Sequence, residues 1–238
     1  MRTAIVVFPG SNCDRDVKRA IEETLQTPVE MIWHEETDFN NNPDLIVLPG
    51  GFSYGDYLRS GAMAARSPIM SAVKKHSEDG GLLLGICNGF QVLTEAHLLP
   101  GALLTNTSLS FICHEGNLRI ESTNNAFTSE YKVGDLVQFP IAHHEGLYFS
   151  NETELKELEE NAQVVFRYAD PQTGDAGAKY APNGALNGIA GISNKQGNIL
   201  GLMPHPERAT IPHLNGGTDG IAFWKSIFTA FNKQRGEF

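Results

Sequence analysis

Cysteine is scarce in this chain: 238 residues contain three, and no two of Cys13, Cys87 and Cys113 stand in C-x-x-C spacing. An odd, widely spaced set argues against a disulfide framework and a tetrahedral zinc module, and it suits a reducing compartment. Positive charge is also short. Eighteen Lys and Arg face 28 Asp and Glu, a formal net charge of -10 with no basic cluster, which argues against a nucleic-acid partner. No apolar run approaches the ~18 to 20 residues of a membrane span. The first run, Ala4 to Phe8, stops at Pro9 and is too short for a signal peptide. The expected setting is therefore cytoplasmic and away from membranes. There is no internal repeat, no low-complexity linker and no G-x-x-x-x-G-K-[ST] phosphate loop, so the chain has no recognisable means of using ATP itself. One domain over residues 1–238 is expected.

What is present is an α/β pattern. Ala4-Ile5-Val6-Val7-Phe8, Leu45-Ile46-Val47-Leu48 and Leu82-Leu83-Leu84-Gly85-Ile86 are continuous apolar runs, as strands buried on both faces of a parallel sheet require. Val17, Ala20, Ile21 and Leu25 recur at helical spacing between the first run and a further strand, Val29 to Trp33, which makes a βαβ unit. Ser67-Pro68 reads as a cap and first-turn proline opening a helix to about His76. A further helical stretch covers Phe90 to Leu98. From Leu103 to Ile141 alternating segments and turn signals predict antiparallel strands, followed by a short acidic helix over Glu152 to Glu160. Gly188 to Ser193 and Ile199 to Met203 form a hairpin around the five-residue turn Asn194 to Asn198. A closing helix from about Thr218 carries Ile221, Trp224, Ile227, Phe228 and Phe231 on its apolar side.

The chemistry concentrates in three segments, each predicted to follow a buried strand. Gly85-Ile86-Cys87-Asn88-Gly89 has the G-x-C-x-G form of a nucleophile elbow with sulfur in place of oxygen. Glycines two residues to either side allow a tight strand-to-helix turn that projects Cys87 from the sheet edge. There the free amides and dipole of the next helix favour a thiolate, the nucleophilic form. Met203-Pro204-His205-Pro206-Glu207-Arg208 supplies a base: in an extended chain residues two apart face one side, so Glu207 can fix the tautomer of His205 and stabilise its cation. Pro49-Gly50-Gly51-Phe52-Ser53 offers a glycine N–H, which with that of Asn88 would complete an oxyanion hole. Cys13 and Cys113 lack such a setting and read as buried core cysteines. The pair His143 and His144, near Cys113 and His114, has no ligand spacing, so no metal is expected.

With these residues in view, the chain resembles the class I (triad-type) glutamine amidotransferases along nearly its whole length. Phe8-Pro9-Gly10-Ser11-Asn12-Cys13, Pro49 to Asp56 and Ile141-Ala142-His143-His144-Glu145-Gly146 match a subgroup that serves de novo purine synthesis; Gly85 to Gln91 and Met203 to Arg208 match the class. The resemblance implies an α/β fold: one doubly wound, mostly parallel sheet flanked by helices, with a flavodoxin-like core and additional antiparallel strands. It implies that Cys87 attacks the amide carbon of glutamine, that Gly51 and Asn88 hold the oxyanion, and that His205, oriented by Glu207, protonates the departing ammonia and then activates water. Gln91, His144 and Gly146 match substrate-binding positions. No cofactor is implied in this chain. ATP and magnesium are expected on a large synthetase subunit that converts formylglycinamide ribonucleotide to the amidine, with a small bridging subunit as a further partner. Three alternatives remain open on the sequence: a glutaminase for a different acceptor, a cysteine hydrolase of similar fold, and a binding subunit without catalysis.

Overall fold

The computed structural model describes residues 1–212 and 217–236. Eleven strands and five α-helices follow one another as β1 (Thr3–Val7), α1 (Asp14–Leu25), β2 (Val29–Trp33), β3 (Leu45–Leu48), α2 (Met70–Glu78), β4 (Leu82–Ile86), α3 (Asn88–Glu95), β5 (Ala102–Leu104), β6 (Ile112–Ile120), β7 (Leu136–His143), β8 (Leu147–Phe149), α4 (Glu152–Glu160), β9 (Val164–Tyr168), β10 (Ile189–Ser193), β11 (Ile199–Leu202) and α5 (Gly220–Arg235). Nine strands form one sheet in the order β2-β1-β3-β4-β11-β10-β9-β6-β7, and β5 pairs separately with β8. The first five run parallel in the 2-1-3-4-5 order of flavodoxin-like folds. From β11 to β7 every pairing is antiparallel. Of the strands on this side, β6, β7 and the β10–β11 hairpin fall in segments expected to be antiparallel.

The apolar runs behave as expected. β3 and β4 are buried along their whole length. The hairpin β10–β11 turns at Asn194 to Asn198, and α4 begins at Asn151, whose side chain accepts the Glu154 N–H at 2.9 Å. Boundaries differ elsewhere. Ser67 does not cap α2, which starts at Met70; its hydroxyl meets the Tyr54 hydroxyl at 3.2 Å instead. The helix after Cys87 starts at Asn88 and ends at Glu95, before the predicted end at Leu98. β9 was not anticipated. Nor was Phe223, fully buried in α5 against the rings of Phe127, Phe139, Phe166 and Trp224.

The elbow glycines serve a different purpose from the one inferred from the motif. Neither Gly85 nor Gly89 has a positive φ; the left-handed conformation falls on Cys87 itself, with φ 52° and ψ -106°. The glycines permit close approach. A Cβ on Gly85 would lie 2.6 Å from the Gly89 carbonyl oxygen, and one on Gly89 would overlap the Leu48 carbonyl, so α3 seats directly on β3 and β4. Gly89→Ala should therefore cost at least about 3 kcal/mol, the upper end for overpacking against an unyielding backbone. Thermal unfolding should fall by about 6 to 12 °C; an unchanged melting temperature would refute the close seating. Among the described residues no helix is long and apolar enough to cross a membrane.

Candidate active site

Four parallel strands deliver their carboxyl ends to one place. The loop after β1 carries Ser11, Asn12 and Cys13; Gly50 and Gly51 follow β3; Cys87 follows β4; His205 follows β11. In open α/β sheets this edge is where ligands bind. The loops are tied together through backbone groups. The N–H groups of Asn12 and Cys13 reach the Gly50 carbonyl at 3.4 and 3.2 Å, Phe52 N–H reaches the Gly10 carbonyl at 3.0 Å, and Ser11 bridges to Gly51. Gly51 has φ 148°, and a Cβ there would collide with the Asn12 and Ser11 backbone. The far edge of the sheet returns to cover the site: Pro140 on β7 accepts the His205 N–H at 2.8 Å, and the Ala142 carbonyl lies 3.7 Å from Cys87 Sγ.

Cys87 is 6% exposed at the mouth of α3. Its strained φ aims Sγ away from the sheet, and strain of this kind costs about 1 to 3 kcal/mol unless the surroundings enforce it. The enforcing contacts are the Cys87 N–H to Leu202 at 2.8 Å and the Cys87 carbonyl accepting from Phe90 and Gln91. His205 Nδ1 lies 2.6 Å from Glu207 Oε1, and both side chains are essentially without exposure. The predicted pairing of these two residues is present, although Pro206–Arg208 is a 3-10 turn and not an extended segment. Burial alone would lower the His205 pKa; the Glu207 carboxylate outweighs it, helped by Cys87, and holds the imidazole well above its ordinary range. An imidazole with one nitrogen fixed by a buried carboxylate, beside a thiol on a helix N-terminus, meets the needs of base-assisted nucleophilic attack.

Asn88 and Gln91 join this centre to its flanks. Asn88 Oδ1 accepts the Ser53 N–H at 3.2 Å, and its Nδ2 donates to Gln91 Oε1 at 2.8 Å and to Asp56 Oδ1 at 3.3 Å. Gln91 Nε2 donates to the Glu145 carbonyl at 2.7 Å. Asp56 is raised to about 6 by partial burial and by the charge of Glu145, which also accepts from the Ser60 hydroxyl. His144 has an exposed side chain, and its carbonyl accepts from Asn106 N–H at 2.9 Å. The Gly146 N–H and carbonyl are bound by the Asn106 and Asn183 side chains at 3.0 and 2.7 Å. The neighbouring His143 is buried, with its pKa lowered to about 4 by burial and then by His205.

Two readings of the cysteines need correction. Cys113 is exposed, not a core residue. Cys13 is buried but no bystander: it lines the same cavity of about 160 Å³ as Gly51, Phe52, Cys87, Phe111 and His205, and Arg208 Nη2 lies 3.1 Å from its sulfur. Arg208 in turn reaches Asp16 at 3.2 Å. No local pattern marks Cys13, because its place depends on the β1 loop folding back onto Gly50; its only sequence signal was membership of a matching motif. At ~30 Å³ per water, the cavity has room for about five waters or one amino-acid side chain.

The chain belongs to the glutamine amidotransferases: residues 1–233 match the CobB/CobQ-like glutamine amidotransferase domain. It is 53% identical over 227 residues to the phosphoribosylformylglycinamidine synthase subunit PurQ of Gloeobacter violaceus, covering 95% of this chain and 97% of that one. With the PurQ subunit of Thermosynechococcus vestitus it shares 54% over 235 residues, covering 97% of each. Among solved structures, PurLQS from Thermotoga maritima superposes on it with a TM-score of 0.82 at 43% identity, covering 96% of this chain and 97% of the other.

Proposed function

We propose that this chain is the glutaminase subunit of a phosphoribosylformylglycinamidine synthase, acting as one domain over residues 1–238. It hydrolyses glutamine to glutamate and ammonia, and the ammonia serves conversion of formylglycinamide ribonucleotide to formylglycinamidine ribonucleotide in purine synthesis. The observation that carries the chemistry is the buried His205–Glu207 pair at 2.6 Å beside the strained Cys87. Near-full-length identity of about half to PurQ subunits carries the pathway.

In this reading Cys87 Sγ adds to the side-chain amide carbon of glutamine. The N–H groups of Gly51 and Asn88 receive the developing oxyanion, the former from a loop pinned to Ser11 and the latter from the first turn of α3. His205 gives its proton to the leaving ammonia, and a γ-glutamyl thioester remains. The same imidazole then takes a proton from water as it attacks the thioester, which releases glutamate and restores the thiol. Gln91, His144 and Gly146 belong to the substrate-holding wall. Gln91 acts there through a side chain that already spans from Asn88 to Glu145, whereas Gly146 shapes a loop fastened by Asn106 and Asn183. The partners are a large ATP-dependent synthetase, which carries ATP and magnesium, and a small bridging subunit. This chain needs no cofactor of its own, and its setting is the cytoplasm.

A diazo-ketone analogue of glutamine tests the reading directly. Mass spectrometry should find one equivalent attached to Cys87, with the synthetase present if the free chain is slow. No attachment at Cys87 under either condition would sink the proposal.

A further inference from the structure

The sequence has no metal-ligand spacing, yet the fold gathers one set of soft and hard donors. Among the described residues, one donor atom each of Cys13, His205 and Glu207 lies within 4.8 Å of the others, and all three residues are buried. From two members of this cluster, Cys13 and His205, and from Cys87 on the wall of the same cavity, we infer that Cys13 Sγ, Cys87 Sγ and His205 Nε2 form a binding site for a thiophilic divalent cation, zinc above all, whose occupancy shuts off glutamine hydrolysis. The shut-off rests on the catalytic reading of Cys87 and His205.

Three features point to a ligand there. First, His205 is 1% exposed and its Nε2 has no hydrogen-bond partner, while Nδ1 is engaged by Glu207 at 2.6 Å. Metal-binding imidazoles have this arrangement, one nitrogen toward the ion and the other donating to a carboxylate that fixes the ring. Second, both thiols stand against the same imidazole and line the same small cavity. Two sulfurs and one imidazole are a donor set that selects zinc, cadmium or cobalt over magnesium and calcium. Third, the dimensions are close. Tetrahedral zinc with Zn–S near 2.3 Å and Zn–N near 2.1 Å places donors about 3.4 to 3.8 Å apart. Cys13 Sγ and a His205 ring nitrogen lie within 4.8 Å of each other, and Cys87, outside that cluster but on the wall of the same cavity, completes the donor set by side-chain rotation.

The charges also balance. Binding displaces the protons held among the two thiols and His205 Nε2, and the resulting two thiolates offset the two charges of the ion beside a neutral imidazole. Arg208 Nη2 lies 3.1 Å from Cys13 Sγ, and the guanidinium is itself countered by Asp16 at 3.2 Å. A water fills the fourth position. An ion so placed occupies the nucleophile's sulfur and the nitrogen that must carry the proton, so turnover stops until the ion leaves.

Cobalt(II) titration of the full-length, metal-free, reduced chain tests the site. One equivalent should bind with a thiolate-to-cobalt charge-transfer band, and zinc should displace it. Cys13→Ser and Cys87→Ser should each weaken binding at least about tenfold, the loss typical even for an outer ligand contact. Cys113→Ser, at an exposed thiol, should change nothing. Zinc should also protect Cys87 from the glutamine analogue, and a chelator should restore labelling. If cobalt binds equally well to wild type and Cys13→Ser, or binding is lost only in Cys113→Ser, the site is refuted. Labelling of Cys87 in a chain that takes up no cobalt would refute the metal site and leave the glutaminase reading intact. Cobalt held by Cys13 and Cys87 in a chain the analogue never labels would do the reverse.

Discussion

Cys87→Ala should remove glutamine-dependent amidination by roughly 10⁶-fold, to below detection, while synthesis driven by added ammonium salt continues in the assembled complex. At 1.36 kcal/mol per tenfold this is a loss of about 8 kcal/mol of barrier lowering. The size follows from the absence of a substitute on the elbow: nothing else projects from the left-handed position between β4 and α3. Cys13, the other thiol in the cavity, cannot replace it, because Cys13 lies at the entrance to α1 with no glycine-seated helix behind it. Coupled turnover assays with glutamine and with ammonium, side by side, read both halves. Equal loss on both substrates would show that Cys87 supports the fold of the complex and not the chemistry of glutamine.

The second large effect separates His205 from Glu207. His205→Ala should abolish ammonia release as completely as loss of the nucleophile, whereas Glu207→Gln should retain roughly 10²-fold more activity, since the acid orients and stabilises but transfers no proton. The pH profile distinguishes orientation from mere packing. Burial lowers the His205 pKa and Glu207 is the largest influence raising it, so removing the carboxylate leaves only the two cysteines to oppose burial and the pKa falls. The imidazolium is then lost at lower pH, and the limb of the profile that reports its deprotonation moves to the acid side. A Glu207→Gln variant with an unshifted profile would mean that Glu207 does not hold the proton on His205.

How much of this was readable beforehand depends on whether the controlling forces are local. β1, β3 and β4 are buried on both faces, so their apolar runs announce them without reference to anything distant. The elbow is local too, which is why Cys87 stood out from the other cysteines. His205 and Glu207 are two residues apart, and their contact survives a wrong guess about the backbone between them. Cys13 is the opposite case: its meaning lies in Gly50 and Arg208, 37 and 195 positions away, and no periodicity encodes that approach. β9, Val-Val-Phe-Arg-Tyr, is interrupted by Arg167 and lacks the unbroken apolar run that announces β3 and β4. Phe223 was passed over because α5 buries neighbours on adjacent positions, Phe223 and Trp224, which blurs a single apolar stripe. Gly85 and Gly89 were right as residues and wrong as reasons: a motif reports that a side chain is missing, and only the packing tells whether torsion or space demanded it.

The place of β11 between β4 and β10 has a consequence for biosynthesis. The last strand among the described residues is neither an edge nor an afterthought but the seam joining the parallel and antiparallel parts of the sheet. Until it emerges, β4 and β10 both present unpaired backbone edges, the kind of surface that invites mispairing with other chains. His205 follows that strand directly, so on the proposed roles a nascent chain carries Cys87 for more than a hundred residues before its base can reach it. Glutamine is therefore safe from a half-made enzyme, and one late event both seals the sheet and switches on the chemistry.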